Sequence, residues 1–159
     1  MRLAEIERIN AVSVMVGAPA WARGVGTLGG LDPVRTEVGL HLDLTAHPLM
    51  LRRRRLPGLV AATYLGAADR HCIRAEIRAQ LDRFEATVNA APRYVDGHQH
   101  VHQLPLIREE LLAELDRRYR GAVPWIRSTR RAPGMGAPMP PGLRFKAALI
   151  ESLGAHAMS

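Results

Sequence analysis

Short apolar runs alternate along the chain with amphipathic stretches. Leu3, Ile6 and Ile9 lie three residues apart, the spacing of a helix's last turns. Ser13-Val14-Met15-Val16 reads as a short buried strand, stopped by Gly17 and Pro19. The Gly-rich stretch from Gly24 to Pro33 reads as a loop, and Val38 to Leu44 as a second strand. Residues 46–69, with Pro48, Pro57 and a run of arginines, read as irregular. The clearest helix is His71 to Val88, where Ile73, Ile77, Leu81, Phe84 and Val88 form one apolar stripe. Tyr94-Val95-Asp96 is a third strand. Pro105 is predicted to open a helix, at the position that tolerates a missing N–H. Leu111, Leu112, Leu115 and Tyr119 line its expected buried side, and Gly121 closes it. Val123 to Ile126 is a fourth strand, Arg130 to Gly142 a Pro- and Gly-rich surface loop, and Leu143 to Leu153 a last helix capped by Gly154.

Strands separated by helices of this length predict an α/β fold with a parallel sheet. The chain has 159 residues, whereas a complete eight-unit (β/α) barrel takes roughly 250. A hydrophobic content of 47% supports a packed core and argues against disorder. Cys72 is the only cysteine, so an intrachain disulfide and a four-Cys zinc site are excluded. A single thiol fits a reducing compartment, and with no secretory signal the expected location is cytoplasmic. The uncharged stretch Asn10 to Ala22 contains Pro19 and is too short to span a bilayer.

The formal charge is +7, but Lys146 is the only lysine, and an arginine bias of this kind often reflects codon composition. The run Arg52-Arg53-Arg54-Arg55 reads either as a solvated loop or as a contact for phosphate or another anion. Aromatic residues make up 4%, and no helix-turn-helix, finger or RRM pattern is visible, so a nucleic-acid partner is not expected.

The densest chemical signal is Asp96-Gly97-His98-Gln99-His100-Val101-His102. In an extended segment His98, His100 and His102 would share one face. Imidazole suits Zn-like ions, and catalytic sites often use three protein ligands and a water. A turn at Gly97 would break the alternation and leave some of the three beside the site. The second signal is His41, within the apolar run Gly39-Leu40-His41-Leu42-Asp43-Leu44-Thr45. Each histidine would lie at the C-terminal end of its strand or just past it, where (β/α) folds build sites. Asp43 and Asp96 could orient a ring or supply a carboxylate. Gly24-Val25-Gly26-Thr27-Leu28-Gly29 matches G-x-G-x-x-G but leads to Pro33 rather than a helix, which rejects dinucleotide binding. Cys72 has no nucleophile motif, and Arg127, beside the fourth strand's end, is either a substrate contact or simply exposed.

These two histidine motifs, in this order and at this separation, resemble the YdjC-like carbohydrate deacetylases, which include chitooligosaccharide and hopanoid-associated members. The helix segment Ala75 to Phe84, and Ser13 to Val16 with the loop ending at Ala20-Trp21-Ala22, resemble the family too. The resemblance covers nearly the whole chain. It implies a partial irregular (β/α) barrel over residues 1–159, with parallel strands alternating with helices, as one incomplete deacetylase-like domain. It also implies a divalent metal ion, Mg or Zn, and hydrolysis of the N-acetyl group of amino sugars or acetylated oligosaccharides. By resemblance His41 and His98 are metal ligands, and Asp96, His100 and His102 are the catalytic candidates next to them. The family opens with a strand ending in Asp-Asp-Phe-Gly, which supplies a third metal ligand, and this sequence has no such segment. Metal affinity is then expected to fall, and the second reading is a non-catalytic metal- or anion-binding fragment. An open barrel would expose apolar edges, which predicts poor stability or a homo-oligomer.

Overall fold

A computed structural model describes residues 2–5 and 8–128. The loop and helix expected at 130–154 lie outside the described residues. In chain order the elements are α1 (Arg2–Glu5), β1 (Ala11–Val14), α2 (Trp21–Gly24), β2 (Glu37–Leu42), α3 (Leu56–Tyr64), α4 (Arg70–Val88), β3 (Tyr94–Gly97), α5 (Ile107–Arg118) and β4 (Trp125–Ile126). Two 3-10 segments, Val25–Gly30 and His98–Gln103, follow α2 and β3. The four strands form one parallel sheet in the order β1-β2-β3-β4. Sequential parallel strands joined by helices are the arrangement of an arc of a (β/α) barrel.

Strand alternation sorts the side chains onto two faces. Val14, Val38, Leu40, Leu42, Val95 and Ile126 join the core against Ile73, Ile77, Leu81 and Phe84 of α4 and Ile107, Leu111 and Leu115 of α5. The opposite face carries Ser13, Gly39, His41, Tyr94 and Asp96. The register pairs Ser13 with Gly39 and His41 with Asp96. Gly39 is a steric necessity: a Cβ there would lie 2.6 Å from the Tyr94 ring, which crosses β2 at that point. Tyr94 in turn stacks on Trp125 at 4.6 Å between centroids.

The expected stripe of α4 is present, with a residue to spare at its start. Asp69 caps it, accepting from the N–H groups of His71 (2.8 Å) and Cys72 (3.1 Å), and Asn89 ends it in the left-handed conformation. Four expectations need correction. The segment read as irregular contains α3, with Pro57 in its first turn. Pro105 does not open α5: the helix begins at Ile107, after Leu106 at φ 60° and ψ −50°. The Ile107 N–H donates to the Pro105 carbonyl at 2.6 Å, so Pro105 to Ile107 form a γ-turn. Leu112 is 48% exposed, not buried. Its expected place on the α4-facing side is taken by Glu110 and Glu114, which pair with arginines of α4. Finally, β1 and β2 begin and end earlier than the apolar runs suggest, because Val16, Asp43 and Leu44 belong to the turns that follow them.

Candidate functional site

The site lies at the carboxyl ends of β2 and β3 and begins with a carboxylate–histidine pair. His41 Nδ1 is 2.8 Å from Asp96 Oδ1. A carboxylate can only accept here, so Nδ1 carries the proton and Nε2 keeps its lone pair in the neutral ring. Ser13 Oγ donates to Asp96 Oδ2 at 3.3 Å, reaching across β2 where Gly39 has no side chain. Arg127 Nη1 lies 3.7 Å from the same oxygen. Burial works against the Asp96 charge, but the hydrogen bond and charge of His41, with the Ser13 hydroxyl, hold its pKa below the ordinary carboxylate value. Asp96 is therefore ionised at neutral pH.

The three clustered histidines do not share a face. Gly97 ends β3, and the chain then turns through Gln99 (φ 52°) and His100 (φ 61°), both left-handed. His98, the first residue of the turn, sits edge-on to His41 with 5.6 Å between ring centroids. His102 folds back onto Gly97, where a Cβ would lie 2.4 Å from its Nδ1. Its Nε2 donates to the Arg127 carbonyl at 2.9 Å. His102 is 1% exposed, and Nδ1 has no hydrogen-bond partner. Burial lowers its pKa, which keeps the ring neutral. His100 is half-buried, 6.5 Å from the His102 ring. The turn that the glycine made conceivable thus replaces the alternation expected of an extended segment.

Asp43 does not join these groups. Its buried carboxylate accepts from the N–H groups of Thr45 (2.8 Å), Ala46 (2.9 Å) and His47 (2.6 Å) and from the Thr45 hydroxyl. It shapes the turn after β2. Burial opposes its charge, and the backbone donors outweigh burial and lower its pKa. Sequence reasoning passed over two further residues, Glu76 and Gln80. Glu76 is fully buried and accepts from the N–H groups of Leu49 (2.8 Å), Met50 (2.6 Å) and Leu51 (2.8 Å). Gln80 bonds the backbone of Asp43 in both directions and donates to Glu76 at 2.5 Å. The available signal was two polar residues one helical turn apart, beside the apolar stripe of α4. Ser13 was likewise visible as a polar residue between Val12 and Val14.

The donor set suits part of a divalent-metal site. Two imidazoles at this separation, one oriented by a carboxylate, are the groups a Zn-like ion selects. Among the described residues no set of three or more His, Cys, Asp or Glu is placed to hold a metal ion. His98 also opens onto a cleft of about 340 Å³, shared with Arg53, Arg54 and Arg55. Among the described residues no helix is long and apolar enough to cross a membrane.

A carbohydrate deacetylase of Homo sapiens is 44% identical over 111 residues, covering 61% of this chain and 33% of its own length. A carbohydrate deacetylase of Danio rerio is 38% identical over 76 residues, covering 46% of this chain and 20% of its own length. The chain thus spans a third or less of these relatives. Among solved structures, an Enterococcus faecalis protein named for cellobiose-phosphate cleavage superposes with a TM-score of 0.57 at 18% identity. That match covers 95% of this chain and 59% of the other, and it speaks for the fold. The model of the YdjC-like protein family matches residues 1–156, and the chain belongs to that family.

Proposed function

We propose that the protein acts as a hydrolase that removes the N-acetyl group from amino sugars or acetylated oligosaccharides. The observation that carries this reading is the Asp96–His41 pair facing His98 at the ends of two adjacent parallel strands. The relatives named carbohydrate deacetylases support the substrate class. In this reading His41 and His98 are two ligands of a divalent ion, Mg or Zn, whose further donors are not among the described residues. Such an ion, when bound, supplies polarisation of the acetyl carbonyl and activation of water.

The chain's own groups divide the remaining work. Asp96 holds the His41 proton on Nδ1 and so presents Nε2. Its other oxygen is engaged by Ser13 and faces Arg127, so it serves as an orienting carboxylate rather than as a base. His100, with a partly open ring, is the candidate to pass a proton to the leaving amine. His102 is a positioning residue: through the Arg127 carbonyl it fixes the backbone just past β4. The single free cysteine supports a cytoplasmic location.

The test is acetate release from N-acetylglucosamine oligomers. Release that a chelator and His98→Ala both abolish is expected. Release that survives the chelator and the substitution overturns the reading. The incomplete donor set favours one alternative, a non-catalytic metal-binding module, which would take up metal stoichiometrically and release no acetate from any acetylated sugar.

A further inference from the structure

Two groups of arginines in this protein differ in their partners. On α4 and α5, Arg70, Arg74, Arg78, Arg117 and Arg118 each pair with a glutamate. Arg53, Arg54 and Arg55 are exposed, and none pairs with a carboxylate among the described residues. They line the cleft that His98 also borders, and no Asp or Glu lines it. Adjacent like charges repel, so a run of this kind is at ease only in open solvent or against an anion.

Both ends of the run are fixed. Upstream, the buried Glu76 carboxylate holds Leu49, Met50 and Leu51 by their N–H groups. Downstream, Arg55 is the extended N-cap residue of α3, so the helix's positive end adds to the same side. A flexible loop would lose more conformational freedom on ordering its guanidinium groups around a ligand than this anchored one. Each guanidinium fork can bind two oxygens of an oxyanion. Three forks offer more donors than a single phosphoryl group needs, although Arg54 also borders a neighbouring cleft that holds Asp69 and Cys72.

We propose that Arg53, Arg54 and Arg55 form an oxyanion subsite beside His98 for the pyrophosphate of an acetylated sugar linked to a nucleotide or to a lipid. The subsite rests on the deacetylase reading only for the sugar; the binding of the anion stands apart from turnover.

Calorimetric titration of the 159-residue chain with inorganic pyrophosphate and with inorganic phosphate tests it. Pyrophosphate is expected to bind at least tenfold more tightly than phosphate. Arg53→Ala and Arg55→Ala should each weaken it about tenfold without moving the thermal unfolding midpoint, whereas Arg70→Ala should leave it unchanged. Equal affinity for the two anions, unchanged binding in both variants, or binding only to oligonucleotides overturns the proposal. Uridine diphosphate N-acetylglucosamine and an isoprenyl diphosphate N-acetylglucosamine in detergent then distinguish the two sources, the tighter being the one used. Tight, arginine-dependent pyrophosphate binding without acetate release from any acetylated sugar leaves the subsite standing and sinks the deacetylase reading. Acetate release from uncharged oligomers that pyrophosphate neither inhibits nor binds beside does the reverse.

Discussion

The two faces of the sheet use the same stretches of backbone for opposite purposes. One face, through Leu40, Leu42 and Val95, is fully buried against α4 and α5. The other, one residue out of phase, carries Ser13, His41 and Asp96 in hydrogen-bonded contact. Their stabilities have different sources. The apolar face gains from the area it removes from water, about 25 cal/mol per Å². The polar face gains little net free energy, because each hydrogen bond replaces one to water. What it gains is a fixed direction for one imidazole. The comparison teaches that the helical side of this sheet is where the fold is held, and the other side is where chemistry is prepared.

Substitutions can break that division. Leu40→Ala should cost the most stability, about 3 kcal/mol from lost transfer and cavity terms, read by urea denaturation. If it costs less than Asp96→Asn on the same scale, the division fails. Asp96→Asn should lower acetate release roughly 10- to 100-fold by losing the His41 orientation, with a smaller change in stability. Gly39→Ala should cost about 1–3 kcal/mol, because the Tyr94 ring must leave β2. Loss of the Trp125 stack would accompany it as a shift in tryptophan emission. The acid limb sharpens the contrast. Asp43 and Asp96 have depressed native pKa values, so their stabilisation is complete above the ordinary carboxylate pKa and is lost as pH falls toward the native values. His102, also depressed, stays neutral in the fold while the unfolded ring protonates, so stability also falls as pH drops through about 6.5. Equilibrium unfolding between pH 7 and 5 should show that slope, and His102→Gln should flatten it. The smallest effect on the unfolding midpoint is expected of Arg70→Ala, because its Glu109 pair is exposed and Glu110, its second partner, keeps Arg74.

Periodicity was a good guide wherever one element met one core. The stripe of α4 and the three longer strands were legible because Ile73 to Phe84 and Val38 to Leu42 answer to a single buried surface. It failed where polar residues were buried by pairing. Leu112 looked internal because Glu110 and Glu114 looked external, and nothing local says that three α4 arginines wait opposite them. The helix α3 was hidden by its own first turn, in which Pro57 suits a helix start as well as a loop. At the site, His41, Asp96 and His98 were legible as types and as strand-end positions. The resemblance also grouped them, and His41 does meet both Asp96 and His98. What was not legible was the parting of His98 from His100 and His102, since the left-handed residues Gln99 and His100 have no glycine to announce them.

The hold of Glu76 and Gln80 on the segment from Asp43 to Leu51 has a consequence for how this edge of the molecule breathes. The amides of Leu49, Met50 and Leu51 are bonded to a side chain of α4, and those of Thr45, Ala46 and His47 to Asp43, whose own backbone is held by Gln80. Hydrogen exchange at these six positions therefore cannot proceed by local loop fraying; it requires α4 to lose its grip. The loop should exchange with helix-like protection, up to the point where Arg52 begins. Beyond it the exposed residues Arg52 to Arg55 should exchange faster, so protection would step down where the Glu76 bonds end.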